Sequence, residues 1–213
     1  MVVSDEQAKA VTAVAEFGTK SLDTLGAAGG GATRAIGPLA SDFVGWAFGD
    51  DLKISRWEKF QLRWHEACER LNARGVNFER PSPSVSIPLM EGACDEADPD
   101  LAELWTRLLA NAMDPARKKR VRLRFIEAVK KMDPLDALAF QTLFNATGVL
   151  QPSVREFVAQ RLTVAPDDIE VSFANLFDLG FIAIRGNYDP ERRVFSDVYL
   201  TSVGRQFAQA IAS

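Results

Sequence analysis

The sequence predicts a mainly α fold that closes on a small β-hairpin, and three observations predict it. Apolar side chains recur at steps of three and four along most of the chain, the spacing of helices with one buried face. Asp-Pro pairs at 98–99, 114–115 and 133–134 punctuate that pattern where helices start or stop. Only near the C-terminus do short β-like runs replace it, at 181–184 and 194–200, around the polar turn 186–190.

Element by element, residues 1–25 read as a helix, with Ser4 as its cap and Gln7 three residues on. Four glycines within 26–31 interrupt it, because glycine in a helix interior costs about 1 kcal/mol each against alanine; this segment reads as a hinge. After Pro38 an amphipathic pattern resumes, with Leu39, Phe43 and Trp46 on one face. A longer helix runs from Asp50 or Asp51 to about Ala73. Its apolar stripe is Ile54, Trp57, Phe60, Trp64, Cys68 and Leu71, and Gly75 stands where a terminating glycine belongs. The three prolines of 77–88 predict an extended connector, followed by a helix over 89–96.

Asp98 and Pro99 open the next helix, whose face is Leu101, Leu104, Trp105, Leu108, Leu109 and Ala112. A helix over 117–132 follows, then helices over 134–146, from the Ser153/Glu156 capping pair to about Leu162, and from Asp167 to Leu179, where Gly180 stops it. The hairpin and a short helix at 201–212 end the chain. Three helices, a hairpin and a closing helix make the order of a winged-helix-like domain. The expected organisation is an N-terminal helix and hinge over 1–34, a helical domain over 35–132 and a winged-helix-like domain over 133–213.

Composition narrows the function classes. Of the 213 residues, 47 % are hydrophobic, enough for a core that needs no disulfide or metal. Cys68 and Cys94 are the only cysteines and give no disulfide framework, which fits a reducing cytosol. The first ten residues are polar, unlike a signal peptide, and no run of 18 apolar residues predicts a spanning helix. A cytoplasmic location is expected, with peripheral contact at the inner membrane as the variant. The net charge of −4 does not make the molecule a polycation, but the charge is uneven. Residues 113–131 hold eight bases and two acids, a local +6 that leaves −10 on the remainder.

The middle of the chain resembles a known family. The strings PDLAELWTRLLANAMDP (99–115) and FIEAVKKMDPLDA (125–137), with Pro88-Leu89 before them, are similar to the abortive-infection alpha (Abi-alpha) proteins of bacterial phage defence. LGFI (179–182) and LTSVG (200–204) are similar too, so that the resemblance covers about 35–213. It implies a role in phage defence, with growth arrest or death of the infected cell, and it supplies no catalytic residues. The chain departs from the family before Phe125, where it carries a basic run instead of a neutral segment.

Residue by residue, no catalytic apparatus assembles. His65 is the sole histidine; with Cys68 and Glu69 it lacks the third group and oxyanion site of a nucleophilic centre and the fourth ligand of a zinc site. Phe17 to Ser21 lacks the glycine spacing of a phosphate loop. The acidic stretch of Glu91, Asp95, Glu96, Asp98, Asp100 and Glu103 reads as a solvated face with helix caps more readily than as a metal site. No enzyme activity, cofactor, metal or small-molecule substrate is therefore expected. The preferred function is phage defence by binding, through a protein partner or self-association.

Two alternatives stay open. Arg117, Lys118, Lys119, Arg120, Arg122 and Arg124 form a candidate nucleic-acid or anion site, set against a solvated or internally paired helix end. Leu39, Phe43 and Trp46 form a candidate membrane or partner contact, set against a helix packed on the body. The helix over 167–179, the reader of a DNA-binding winged helix, begins with Asp167, Asp168 and Glu170 and has no lysine or arginine, which favours protein contact.

Overall fold

A computed structural model describes residues 51–146, 153–184 and 198–212. The helix over 1–25, the hinge, the arm with Leu39, Phe43 and Trp46, and the hairpin tip with Arg185, Arg192 and Arg193 lie outside the described residues, as do the side chains of Ile54 and Trp57. The helices, in chain order, are α1 (Asp51–Ala73), α2 (Pro83–Asp95), α3 (Pro99–Met113), α4 (Leu123–Val129), α5 (Pro134–Asn145), α6 (Val154–Leu162), α7 (Pro166–Asp178) and α8 (Ser202–Ala210). A 3₁₀ turn, Lys118–Arg120, precedes α4. Strands β1 (Ile182–Ile184) and β2 (Val198–Leu200) pair antiparallel with Ala183 opposite Tyr199. The mainly helical fold with a small C-terminal hairpin is as the periodicity predicts.

Local chemistry places the helix ends. Asp98 accepts the N–H groups of Asp100 (2.9 Å) and Leu101 (3.2 Å), capping α3. Asp136 reaches back to the Asp133 N–H at 2.8 Å, so the third Asp-Pro pair opens α5 as a capping box. Gly75 (φ +65°) closes α1: the Val76 N–H returns to the Leu71 carbonyl and the Gly75 N–H to Asn72. Gly180 (φ +76°) closes α7 by the same pattern.

Two segments differ from expectation. The Pro-rich stretch is not an extended connector, since α2 starts at Pro83 and carries Pro88 inside it. Pro83 occupies the first turn, where its missing N–H is no loss. Pro88 removes only a bond to Ser84, an exposed residue whose carbonyl water can serve. The helix over 117–132 also does not form as one piece. Six like charges within eight residues repel across i,i+3 and i,i+4 spacings. Val121, 5 % exposed, turns into the core through extended backbone at Val121 and Arg122, and α4 begins only after it.

Helices α1, α2 and α3 pack on one another, and α5, α6 and α7 do the same. Buried residues from Phe60 to Ile211 form one apolar cluster across both sets. Its joint is four phenylalanines: Phe125 of α4, Phe140 of α5, Phe181 before β1 and Phe207 of α8.

On the outside, Glu103 of α3 clasps α1. It accepts from Arg70 at 2.6 and 2.8 Å and from Arg107 at 2.6 Å. Burial pushes the Glu103 carboxyl up, but the hydrogen bonds and charges of Arg70 and Arg107 outweigh this and hold it below its ordinary value of 4.5. A depressed carboxylate contributes stability above the unfolded-state pKa, and that contribution disappears as pH falls through the lower, folded value. The clasp is about one-third exposed, so solvent screening keeps it modest. Glu103→Gln is expected to lose about 1 kcal/mol in urea unfolding at pH 7 and markedly less at pH 3. An equal loss at both pH values means that the charge pairing contributes nothing.

Candidate functional site

The basic run becomes a turn built around a buried aspartate. Asp114, 3 % exposed, ends α3. One carboxylate oxygen accepts the Ala116 N–H at 2.8 Å, and the other faces Arg74 (3.3 Å) and Arg117 (3.7 Å). Arg117 donates to the Asn111 side-chain oxygen (3.3 Å) and to the Ala212 carbonyl (3.1 Å). Burial and the neighbouring Arg74 lower its pKa from the usual guanidinium range, with Asp114 opposing them. A guanidinium remains cationic at neutral pH all the same, so Arg117 is a structural cation.

Lys118 is paired with Glu79 at 2.6 Å. Arg124, although exposed, donates to the Leu179 carbonyl (3.3 Å) at the C-terminal end of α7, a position that favours a cation. Lys119, Arg120 and Arg122 are exposed and have no ion pair or side-chain hydrogen bond among the described residues. The run thus divides into three tied cations and three that face solvent.

The acidic stretch is not what ties them. Glu103 serves Arg70 and Arg107, Asp95 pairs with Arg56 (2.6 Å), Glu96 accepts the Asp98 N–H (2.8 Å) and Glu91 approaches Lys130 (3.9 Å). Among the described residues, no group of three or more histidine, cysteine, aspartate or glutamate side chains is arranged to hold a metal ion.

The residues weighed for nucleophilic chemistry separate. His65 lies on the solvent side of α1, 3.3 Å from Glu69, whereas Cys68 is buried, and burial pushes its thiol up to about 12. Burial does the same to Cys94, also to about 12. At neutral pH neither sulfur is a thiolate.

Two features escape sequence reasoning. The Asn111 amide, 2 % exposed, donates to the Ala210 and Ala212 carbonyls at 2.9 Å each, latching the end of α8 to α3 across about a hundred positions. The only signal was a polar side chain in a helix that is otherwise apolar along that stretch. There is also a cleft of about 430 Å³ with Trp105, Val129 and Met132 in its lining and Arg56, Glu91, Asp95, Glu96 and Lys130 as its charged groups. Its charges come from α1, from α2 and its C-cap, and from the end of α4, and no spacing in the sequence announces it.

A model of the family described as abortive infection alpha matches residues 57–211. The chain belongs to the abortive infection alpha family. Membership connects it with abortive infection, a bacterial defence against phage. The match begins at 57 and so excludes the arm with Leu39, Phe43 and Trp46, while it includes the basic turn. No curated protein matches the chain, and no solved structure does. The strings that carry the abortive infection alpha resemblance are largely framework. Trp105, Leu108 and Leu109 are core, Asn111 is the latch, Asp114 organises the turn and Asp136 caps α5.

Proposed function

We propose that this abortive infection alpha protein is a cytoplasmic phage-defence effector or sensor that works by binding rather than by catalysis. One observation carries the reading. The groups weighed for chemistry are committed elsewhere or stand apart from one another, while three exposed cations without an ion pair among the described residues, Lys119, Arg120 and Arg122, stand together in one turn. Binding surfaces need exposed, unpaired groups, and active sites need convergent ones.

The winged-helix-like order of α5, α6, α7, β1, β2 and α8 supports contact with a macromolecule. The exposed face of α7 carries Asp167, Asp168, Val171 and Asp178 and no cation, so it suits a protein surface better than phosphate. Among the described residues no helix is long and apolar enough to cross a membrane, in keeping with a cytoplasmic site of action.

Phage plating on bacteria expressing the protein, scored with survival of infected cells, tests the reading. Fewer plaques with early death of infected cells are expected. His65→Ala, Glu69→Gln, Cys68→Ala and Cys94→Ala are expected to protect as well as the wild type. Loss of protection in His65→Ala or Glu69→Gln at normal protein levels overturns the non-catalytic reading, because both side chains are exposed and their removal leaves the core packing in place.

A further inference from the structure

We propose that the turn between α3 and α4 docks a nucleic-acid backbone, holding phosphodiesters through Lys119, Arg120 and Arg122, while α7 stays out of contact. This deepens the binding reading above and rests on it. The tied members of the run make the turn a prepared site. Asp114 holds the Ala116 N–H, Arg117 is anchored to Asn111 and Ala212, Lys118 to Glu79, and Arg124 to the end of α7. Val121 is buried between the free cations. A turn fixed at so many points gives up little freedom when it binds, and preorganisation of this kind raises affinity without new contacts.

The spacing fits phosphates. Arg122 lies three positions on from Lys119, a reach of at most about 11 Å. Successive phosphates of one strand advance by about 3.4 Å along the duplex axis, so two or three fall within that reach. The acidic N-terminal turn of α7, Asp167 and Asp168, stands at the far end of that helix from Leu179, where Arg124 is bonded. A thirteen-residue helix is about 20 Å long, some two Debye lengths at physiological salt, so those carboxylates barely oppose the turn. Nearer acids are engaged or offset: Glu79 pairs with Lys118, Glu127 with Lys130, and Asp178 precedes Leu179, whose carbonyl holds the cationic Arg124.

Lipid is the less suitable polyanion. Among the described residues Leu123, 48 % exposed, is the single large apolar side chain emerging beside these cations, and stable membrane attachment takes an apolar signal stronger than that.

The test is titration of the full chain against a fluorescent 30-base-pair duplex at 50 and 200 mM salt. Three phosphate contacts predict a log–log salt slope of about −2.7, which is about a 40-fold weakening between the two salts. The triple variant K119A/R120A/R122A is expected to bind at least tenfold more weakly at 50 mM, with an unchanged melting temperature. R120K/R122K should keep most of the binding, since phosphate contact needs charge, and D167N/D168N should stay within about twofold of wild type.

Absence of wild-type binding at 50 mM overturns the proposal, as does a triple variant that binds like wild type. A large change in D167N/D168N overturns the exclusion of α7. Capture by phosphatidylserine vesicles without binding to the duplex assigns the turn to lipid instead. If phage protection persists in a protein that binds no nucleic acid, this proposal fails while the phage-defence reading stands.

Discussion

Phe207→Ala is expected to lower the unfolding free energy by about 3–5 kcal/mol, the range for emptying a buried phenylalanine site. Phe207 is fully buried on α8 and touches three other rings: Phe181 stacked at 4.4 Å with 6° between planes, Phe140 at 5.0 Å and Phe125 at 5.5 Å. Those rings belong to α4, α5 and the segment entering β1, so one truncation opens a void where four elements meet. Packed aromatic pairs add about 0.5–1.5 kcal/mol beyond their buried area, which places the loss toward the upper end. For a chain of this size, the melting temperature should fall by on the order of 10 °C. Phe207→Leu, which retains most of the volume, should lose less than half as much. Urea unfolding of both variants checks this, and a loss below about 1 kcal/mol for Phe207→Ala means that the ring cluster is not the joint described.

The ring cluster around Phe207 joins residues far apart in the chain, whereas the features legible in the sequence have local causes. Helix starts were, because Asp98 with Pro99 and Asp133 with Pro134 satisfy terminal N–H groups locally, within three residues of chain. Helix stops at Gly75 and Gly180 were, because a left-handed residue is needed there and glycine takes it without strain. Thr163 holds the same left-handed conformation (φ 59°) at the end of α6. Nothing about a β-branched residue signals that. Its strain of about 1–2 kcal/mol is borne because the Val164 N–H returns to the Ala159 carbonyl and the packing of α6 against α7 sets the turn. That α2 runs on through Pro88 and that the 117–132 segment breaks at Val121 likewise depend on exposure and burial in the folded chain: Ser84 faces solvent and Val121 is buried.

The candidate site shows the same division. A concentration of cations between Arg117 and Arg124 is plain in the sequence. Which of them are free is not, because their partners are remote: Glu79 lies 39 positions from Lys118, Leu179 55 from Arg124, and Ala212 95 from Arg117. The nearby acidic stretch was the natural candidate for pairing. It is occupied by Arg56, Arg70 and Arg107 from α1 and α3 and by Lys130 past the end of α4, none of them in the basic run. Charge density is a local property of a chain, whereas charge availability depends on the fold.

Gly204→Ala is the second large effect, expected at about 3 kcal/mol, and it separates two reasons for glycine. A Cβ on Gly204 would stand 2.1 Å from the Phe181 carbonyl oxygen and 3.0 Å from its carbon. The obstacle is backbone, and it is held: the Phe181 carbonyl accepts the Thr201 N–H at 3.0 Å, while the Thr201 hydroxyl caps α8 through the Gly204 N–H, also at 3.0 Å. Relieving the clash means moving α8 away from the strand entry and loosening Phe207 against Phe181, so the cost should reach the top of the overpacking range. Gly75 is the contrast. Its Cβ would meet nothing within 4 Å, but its φ of +65° disfavours any side chain, so Gly75→Ala should lose only about 1 kcal/mol. Urea midpoints of the two alanine variants, measured together, should differ clearly. Equal losses would mean that α8 yields to the added methyl and that the close approach of Gly204 to Phe181 does not set its position.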